Sequence, residues 1–202
     1  MALSFACTAY LDPGKVPARA KHRSGVEELL VAFGSPDGQG NDLSFDRLCL
    51  TTWVLKGLRT KYCRSTGRCV EEFDHFCMWM NSAIGLGNHR LFVLHTCSQL
   101  LVLWCHFFTC FCRAHELYEA HQAADQVAGA GTIIFSLTLG QPLLALVLVI
   151  DVAALMFVAP LVCEQTTGIV RNLTTNERIN MNRYSHFWET VRGPNGETYE
   201  VF

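Results

Sequence analysis

Residues 91–112 run for 22 positions without one Asp, Glu, Lys or Arg, and a second block, residues 131–163, holds a single charge, Asp151. Crossing the hydrocarbon layer takes about 20 apolar residues in a helix. A helix at a water boundary keeps a polar stripe along one side, and neither block has one. Both therefore read as membrane spans rather than as buried helices of a soluble bundle. The first span is set at 91–112. The second block exceeds one span, so its span is set at 137–163, with 113–136 as a lumenal loop. Only 17% of the chain is charged, against about 25% in soluble domains. The net charge of −2 supplies no basic field, so no nucleic-acid partner is expected. The partner implied at once is the lipid bilayer.

The basic residues set the orientation. Eleven of the 16 Lys and Arg lie in residues 15–90, one (Arg113) lies between the spans, and four follow the second span. Positive charge stays on the cytoplasmic side, which places 12–90 and 164–202 in the cytoplasm. Asn172-Leu173-Thr174 is a formal glycosylation sequon that on this topology stays unmodified. Residues 1–11 are apolar but too short to span, and read as the end of an earlier transmembrane helix. Residues 12–42 form a polar linker, with a short amphipathic helix at Val26–Phe33 and a loop at 34–41. The fold class is thus a mainly α membrane protein. It has two visible transmembrane helices, the stub of another, and a small cytoplasmic Cys-rich domain of short strands and loops at 43–90.

The chain has ten cysteines. No signal peptide is visible, so thiol or metal chemistry in a reducing compartment is favoured over a disulfide scaffold. Cys49, Cys63, Cys69 and Cys77 are separated by 13, 5 and 7 residues. They form no CxxC pair, so their spacing alone is weak evidence for zinc. Asp74, His75 and Cys77 stand within four residues. The thiolate is the reactive form of cysteine, a histidine can generate it, and a carboxylate can hold the imidazole in place. On an ordinary strand His75 and Cys77 share a face and Asp74 points away, so a tight loop is expected there.

The run Cys49 to Cys63, then Cys69-Val70, Phe73-Asp74-His75-Phe76-Cys77-Met78-Trp79-Met80-Asn81 and Gly85-Leu86-Gly87-Asn88-His89-Arg90-Leu91-Phe92 resembles the Cys-rich domain of DHHC-type protein S-acyltransferases. Asp12-Pro13-Gly14 is similar to that family's DPG motif. Thr174-Thr175-Asn176-Glu177 is similar to its TTxE motif, with Thr174, Thr175 and Glu177 as the matching positions. The ankyrin-repeat subgroup, whose active site carries an aromatic residue where Phe76 stands, is the nearest resemblance. Because the family has four spans or more, the chain is expected to be truncated at its N-terminus.

The resemblance implies a two-step transfer. Cys77 takes a long acyl chain from palmitoyl-CoA, His75 handles the proton and Asp74 orients His75. The acyl group then passes to a free cysteine of a membrane-proximal protein substrate, in the Golgi or ER membrane. The CoA head would meet the nucleophile in water while the acyl chain lies between the spans. The resemblance also implies two zinc sites, which map onto Cys49, Thr52, Tyr62 and Cys69, and onto Cys63, Thr66, Phe76 and Ala83. Three of these eight are cysteines, so Cys49, Cys63 and Cys69 are the candidate metal ligands. Zinc is expected to bind weakly or not at all, and Phe73, Phe76, Trp79 and Trp53 are expected to form an apolar mini-core instead. The competing reading is a catalytically inactive relative that acts as a membrane-bound scaffold for other proteins.

Overall fold

The computed structural model describes residues 1–17, 48–124, 129–183, 189–192 and 198–201. The expected helix at Val26–Phe33 and the loop at 34–41 lie outside these residues. The chain divides into two units. Residues 93–165, with Met1, form one, and residues 2–92 with 166–202 form the other.

The first unit is helical. Helix α2 runs His89–Ala124, α3 Ala130–Gly140 and α4 Pro142–Val170, the first helix, α1, being Ala2–Tyr10. Helices α2 and α4 are long and apolar enough to cross a membrane. Their apolar side chains face outward: Leu101, Trp104 and Phe108 on α2 and Leu143, Val149 and Met156 on α4 are all more than half exposed. A helix in a soluble core buries such residues; a helix in lipid does not. The stretch set at 113–136 is largely helical. Helix α2 continues to Ala124 and α3 begins at Ala130. No Gly or Pro interrupts 89–128, and the polar stretch is rich in strong helix formers. Helix α4 likewise runs seven residues past Cys163 despite Pro160 within it.

The second unit is built from three antiparallel hairpins. They are β1 Leu48–Cys49 with β2 Val54–Leu55, β3 Lys61–Cys63 with β4 Arg68–Val70, and β5 His75–Cys77 with β6 Ser82–Ile84. In register, Tyr62 faces Cys69 and Phe76 faces Ala83. A further hairpin pairs β7 Glu189–Arg192 with β8 Thr198–Val201. The buried residues Cys63, Val70 and Ala83 form a core against which Phe73 and Phe76 pack.

The Asp12-Pro13-Gly14 segment lies along this core. Asp12 Oδ1 accepts from the Gly14 and Lys15 amides at 3.0 and 2.8 Å, closing a turn with Gly14 at φ 93°. Glu71 donates to Gly14 O and Val16 donates to Cys69 O. A Cβ on Gly87 would overlap the Asp12 carbonyl, and one on Gly85 would stand 2.7 Å from the Pro13 carbonyl. Both glycines are there for close approach of backbone. Asn88, fully buried, donates to Ala83 O and Thr8 O and accepts from the Gly85 amide, tying α1 to β6.

Candidate active site

Asp74, His75 and Cys77 come together. Instead of a tight loop, the structure has a three-residue strand: His75 and Cys77 share one face of β5, and Asp74 sits one residue before the strand, free of its pleat. The His75 Nδ1 is 2.7 Å from Asp74 Oδ2. That leaves Nε2 as the ring nitrogen that can serve Cys77, the thiol on the same face of β5. The imidazole also packs edge-on against Phe92, with ring centroids 5.1 Å apart.

Asp74 is buried, and a buried carboxylate needs partners. Thr175 supplies two. Its amide donates to Asp74 Oδ1 at 2.6 Å and its hydroxyl to Oδ2 at 3.0 Å. Thr175 is delivered there by two consecutive local motifs. First, α4 ends with Asn172 in the left-handed region at φ 53°. Asn172 N donates to Ile169 O and Leu173 N to Gly168 O, the bonding of a Schellman turn. Next, Thr174 caps the short helix α5, Thr175–Ile179. Its hydroxyl accepts from the Glu177 amide and Glu177 Oε2 accepts from the Thr174 amide, a capping box. Glu177 is then gripped by Arg59, whose Nε and Nη2 each donate at 2.7 Å. The Thr174, Thr175 and Glu177 positions named from sequence thus act as one device: two cap the helix, one of these anchors it to Arg59, and the third holds the carboxylate.

The electrostatics follow from this geometry. Burial works against a charged His75, but its hydrogen bonds to Asp74 and Cys77 outweigh burial and push its pKa up to about 9. Burial likewise opposes a thiolate at Cys77. The His75 hydrogen bond, the Met80 and Trp79 amides and the imidazolium charge overcome it, holding the thiol below its ordinary 9.0. Both shifts favour passage of the Cys77 proton to His75. The Met80 and Trp79 amides belong to the turn between β5 and β6, which closes on Asn81 at φ 48°. Asn tolerates that region better than other residues with a Cβ.

The candidate metal ligands separate into two sites of different character. Cys49, Thr52 and Cys69 converge: Thr52 Oγ1 lies 3.3 Å from Cys69 Sγ, and the two thiols are hydrogen-bonded. Burial raises the Cys69 thiol and also opposes a thiolate at Cys49, but hydrogen bonds from Thr52 lower Cys49 on balance. Two thiols and a neutral hydroxyl fall short of the four donors a structural zinc takes. At the second set the aromatic and small side chains have replaced ligands altogether, for Cys63, Phe76 and Ala83 are part of the apolar core. Neither donor set fits zinc. Of the expected mini-core aromatics, Phe73 and Phe76 are in place, whereas Trp79 is 77% exposed and stands outside it.

Sequence reasoning gave no role to Arg59, Phe92 or the Met80 and Trp79 amides. Arg59 lies 118 residues from Glu177, and nothing in a local pattern marks it out from the other basic residues near it.

The DHHC palmitoyltransferase family model matches residues 43–182. Palmitoyltransferase ZDHHC17 of Danio rerio is 29% identical over 89% of the chain, and that of Homo sapiens is also 29% identical over 89%. Palmitoyltransferase AKR1 of Yarrowia lipolytica is 32% identical over 90%. These matches agree with the ankyrin-repeat subgroup that the sequence resembles. The chain spans about a quarter of the length of these relatives, 28%, 27% and 23% in turn.

Proposed function

This chain belongs to the DHHC palmitoyltransferase family, and on that premise we propose that it is a protein-cysteine S-palmitoyltransferase working through an acyl-enzyme at Cys77. The observation that carries this reading is the intact Asp74–His75–Cys77 relay, with Asp74 held by Thr175. An inactive scaffold has no use for a thiol held below its ordinary pKa.

The charge state assigns the steps. His75 takes the Cys77 proton and then acts as an acid. The Cys77 thiolate attacks the thioester carbonyl of palmitoyl-CoA, the carbon–sulfur bond to CoA breaks, and the imidazolium gives its proton to the departing CoA thiolate. Neutral His75 then takes the proton of a substrate cysteine, whose sulfur attacks the acyl-enzyme and releases Cys77 as thiolate. Asp74 stabilises the imidazolium at the start and end of this cycle. An apolar cleft of about 640 Å³ in the helical unit, lined by Leu100, Leu101, Trp104, Val152 and Met156 among others, supports a long acyl chain as the group carried. No step needs zinc, and we place none at Cys49, Cys63 or Cys69. The apolar core and the Arg59–Glu177 anchor stabilise the hairpins in its stead. The substrates are membrane-proximal proteins with a free cysteine, the enzyme being a multi-pass protein of the Golgi or ER membrane with its Cys-rich domain in the cytoplasm.

The test is acyl labelling in detergent micelles with a palmitoyl-CoA analogue. A hydroxylamine-sensitive label is expected on the wild type and not on Cys77→Ala. Equal labelling of the two, or none on either, overturns the role of Cys77.

A further inference from the structure

One cluster of metal-binding side chains among the described residues has no part in acyl transfer. His106 and Cys110 stand one turn apart on α2, and Asp151 reaches them from α4. His106 Nδ1 is 2.8 Å from Asp151 Oδ2, and its Nε2 is 4.0 Å from Cys110 Sγ. One ligand atom from each residue lies within 4.8 Å of the others. Asp151 is buried, and it is the single charge in a 33-residue apolar block, 131–163. An ionisable group in such a place is functional by default.

We propose that His106, Cys110 and Asp151 supply three donors of a divalent metal site, for zinc by its donor chemistry, with a water completing the four-coordinate shell, which links α2 to α4. Three physical arguments carry it. Zinc binds sulfur at about 2.3 Å and nitrogen or oxygen at about 2.0–2.2 Å, so two of its donors stand about 3.6 Å apart at a tetrahedral angle. The His106–Asp151 contact at 2.8 Å is already inside that distance, and a pair at the 4.8 Å limit of the cluster has to close by about 1.2 Å to reach it. The donor set is mixed nitrogen, sulfur and oxygen, which suits zinc better than magnesium or calcium. The charges also cancel. One thiolate, one carboxylate and a neutral imidazole sum to −2, so a divalent ion makes a neutral centre, the state least costly in an apolar medium. Binding displaces the Cys110 thiol proton to solvent. This assignment stands whether or not the acyl-transfer reading holds.

The test uses the full chain, purified in detergent, stripped with chelator and titrated with Co²⁺. Thiolate-to-cobalt charge transfer and tetrahedral visible bands are expected, saturating near one ion per chain. They should persist in the C49S/C63S/C69S variant and weaken at least about tenfold, as loss of one donor does, in Cys110→Ser and Asp151→Asn. Absence of bands in the wild type, or their survival in Cys110→Ser, overturns the site. Should the triple variant fail to fold, X-ray absorption on the zinc-loaded wild type decides: one sulfur among nitrogen and oxygen donors supports the site, and two or more sulfurs assign the metal to the Cys-rich hairpins instead.

Discussion

At Cys77 two opposing effects meet, and their balance makes a prediction. Burial favours the neutral thiol, while His75 and the hairpin amides favour the thiolate and win. A free thiol of pKa 9.0 is about 1% ionised at pH 7, and reactivity follows the thiolate. Alkylation of Cys77 by iodoacetamide should therefore stay fast at neutral pH in the wild type. In His75→Ala it should fall toward the rate of an ordinary thiol, with its midpoint returning toward 9. Palmitoyl transfer should also decline above pH about 9, where His75 loses its proton. A wild-type alkylation profile already centred at 9 contradicts the ion pair. Thr175 offers a second measurement. A hydrogen bond to a charged group is worth about 1.5–3 kcal/mol, and 1.4 kcal/mol is a factor of ten in rate. Thr175→Val keeps the branched shape and the amide bond to Asp74 but loses the hydroxyl. Acyl-enzyme formation should slow about tenfold or more, with Asp74 still in place; an unchanged rate would show that the hydroxyl is idle.

Among elements, the short helix α5 decides whether the site is assembled. Five residues do not hold a helix on their own. Thr174 and Glu177 cap it, and Arg59 binds Glu177 with two donors in the fork geometry that suits a carboxylate. Burial raises the Glu177 pKa, but the Arg59 and Thr174 bonds lower it further, so the folded value lies below the ordinary 4.5. A depressed carboxylate contributes stability that is present above its unfolded pKa and is lost as pH falls through its folded one. Glu177→Gln should lower the melting temperature in detergent at pH 7, and the gap to wild type should close as pH drops below about 4.5. A gap that does not depend on pH would mean that Glu177 acts through shape alone. The same region shows what sequence reveals. The capping box was legible because its residues are three apart, and the Cys-His-Asp cluster because it is contiguous. The Asp74–Thr175 and Arg59–Glu177 bonds close over 101 and 118 residues, and local patterning carries no trace of such pairs. In the second set of ligand positions, Cys63 was a candidate donor and Phe76 was expected in an apolar mini-core. That Cys63, Phe76 and Ala83 pack into one core with Val70 emerges only from the registers of β3–β4 and β5–β6.

Across the whole molecule, the charge-free runs were the plainest signal, and the two long helices with outward apolar faces match them. Where those helices end was not legible, because helix propensity in 113–124 is as high as in the apolar run before it. Hydropathy therefore marks the membrane boundary and not the helix boundary. Orientation is a separate matter, set by the Lys and Arg counts of 11 before the first span, one between and four after. The proposed thiolate chemistry needs a reducing compartment, and the orientation those counts predict would supply one. Two acceptor sites test it. The natural sequon at Asn172 adjoins the end of α4, and Arg59 donates to both the Asn172 carbonyl and its side-chain oxygen. A cytoplasmic, engaged Asn172 receives no glycan. The double substitution Gln126→Asn with Ala128→Thr creates an acceptor between the spans, 14 residues past Cys112. On expression in microsomes it should give one glycosidase-sensitive shift in mobility, and the wild type none. A shift in the wild type would put Asn172 in the lumen. The Asp74–Thr175 bonds join the tail that follows Asn172 to the catalytic strand, so the thiolate would then stand on the side where cysteines are oxidised, and acyl transfer from cytoplasmic CoA would be untenable.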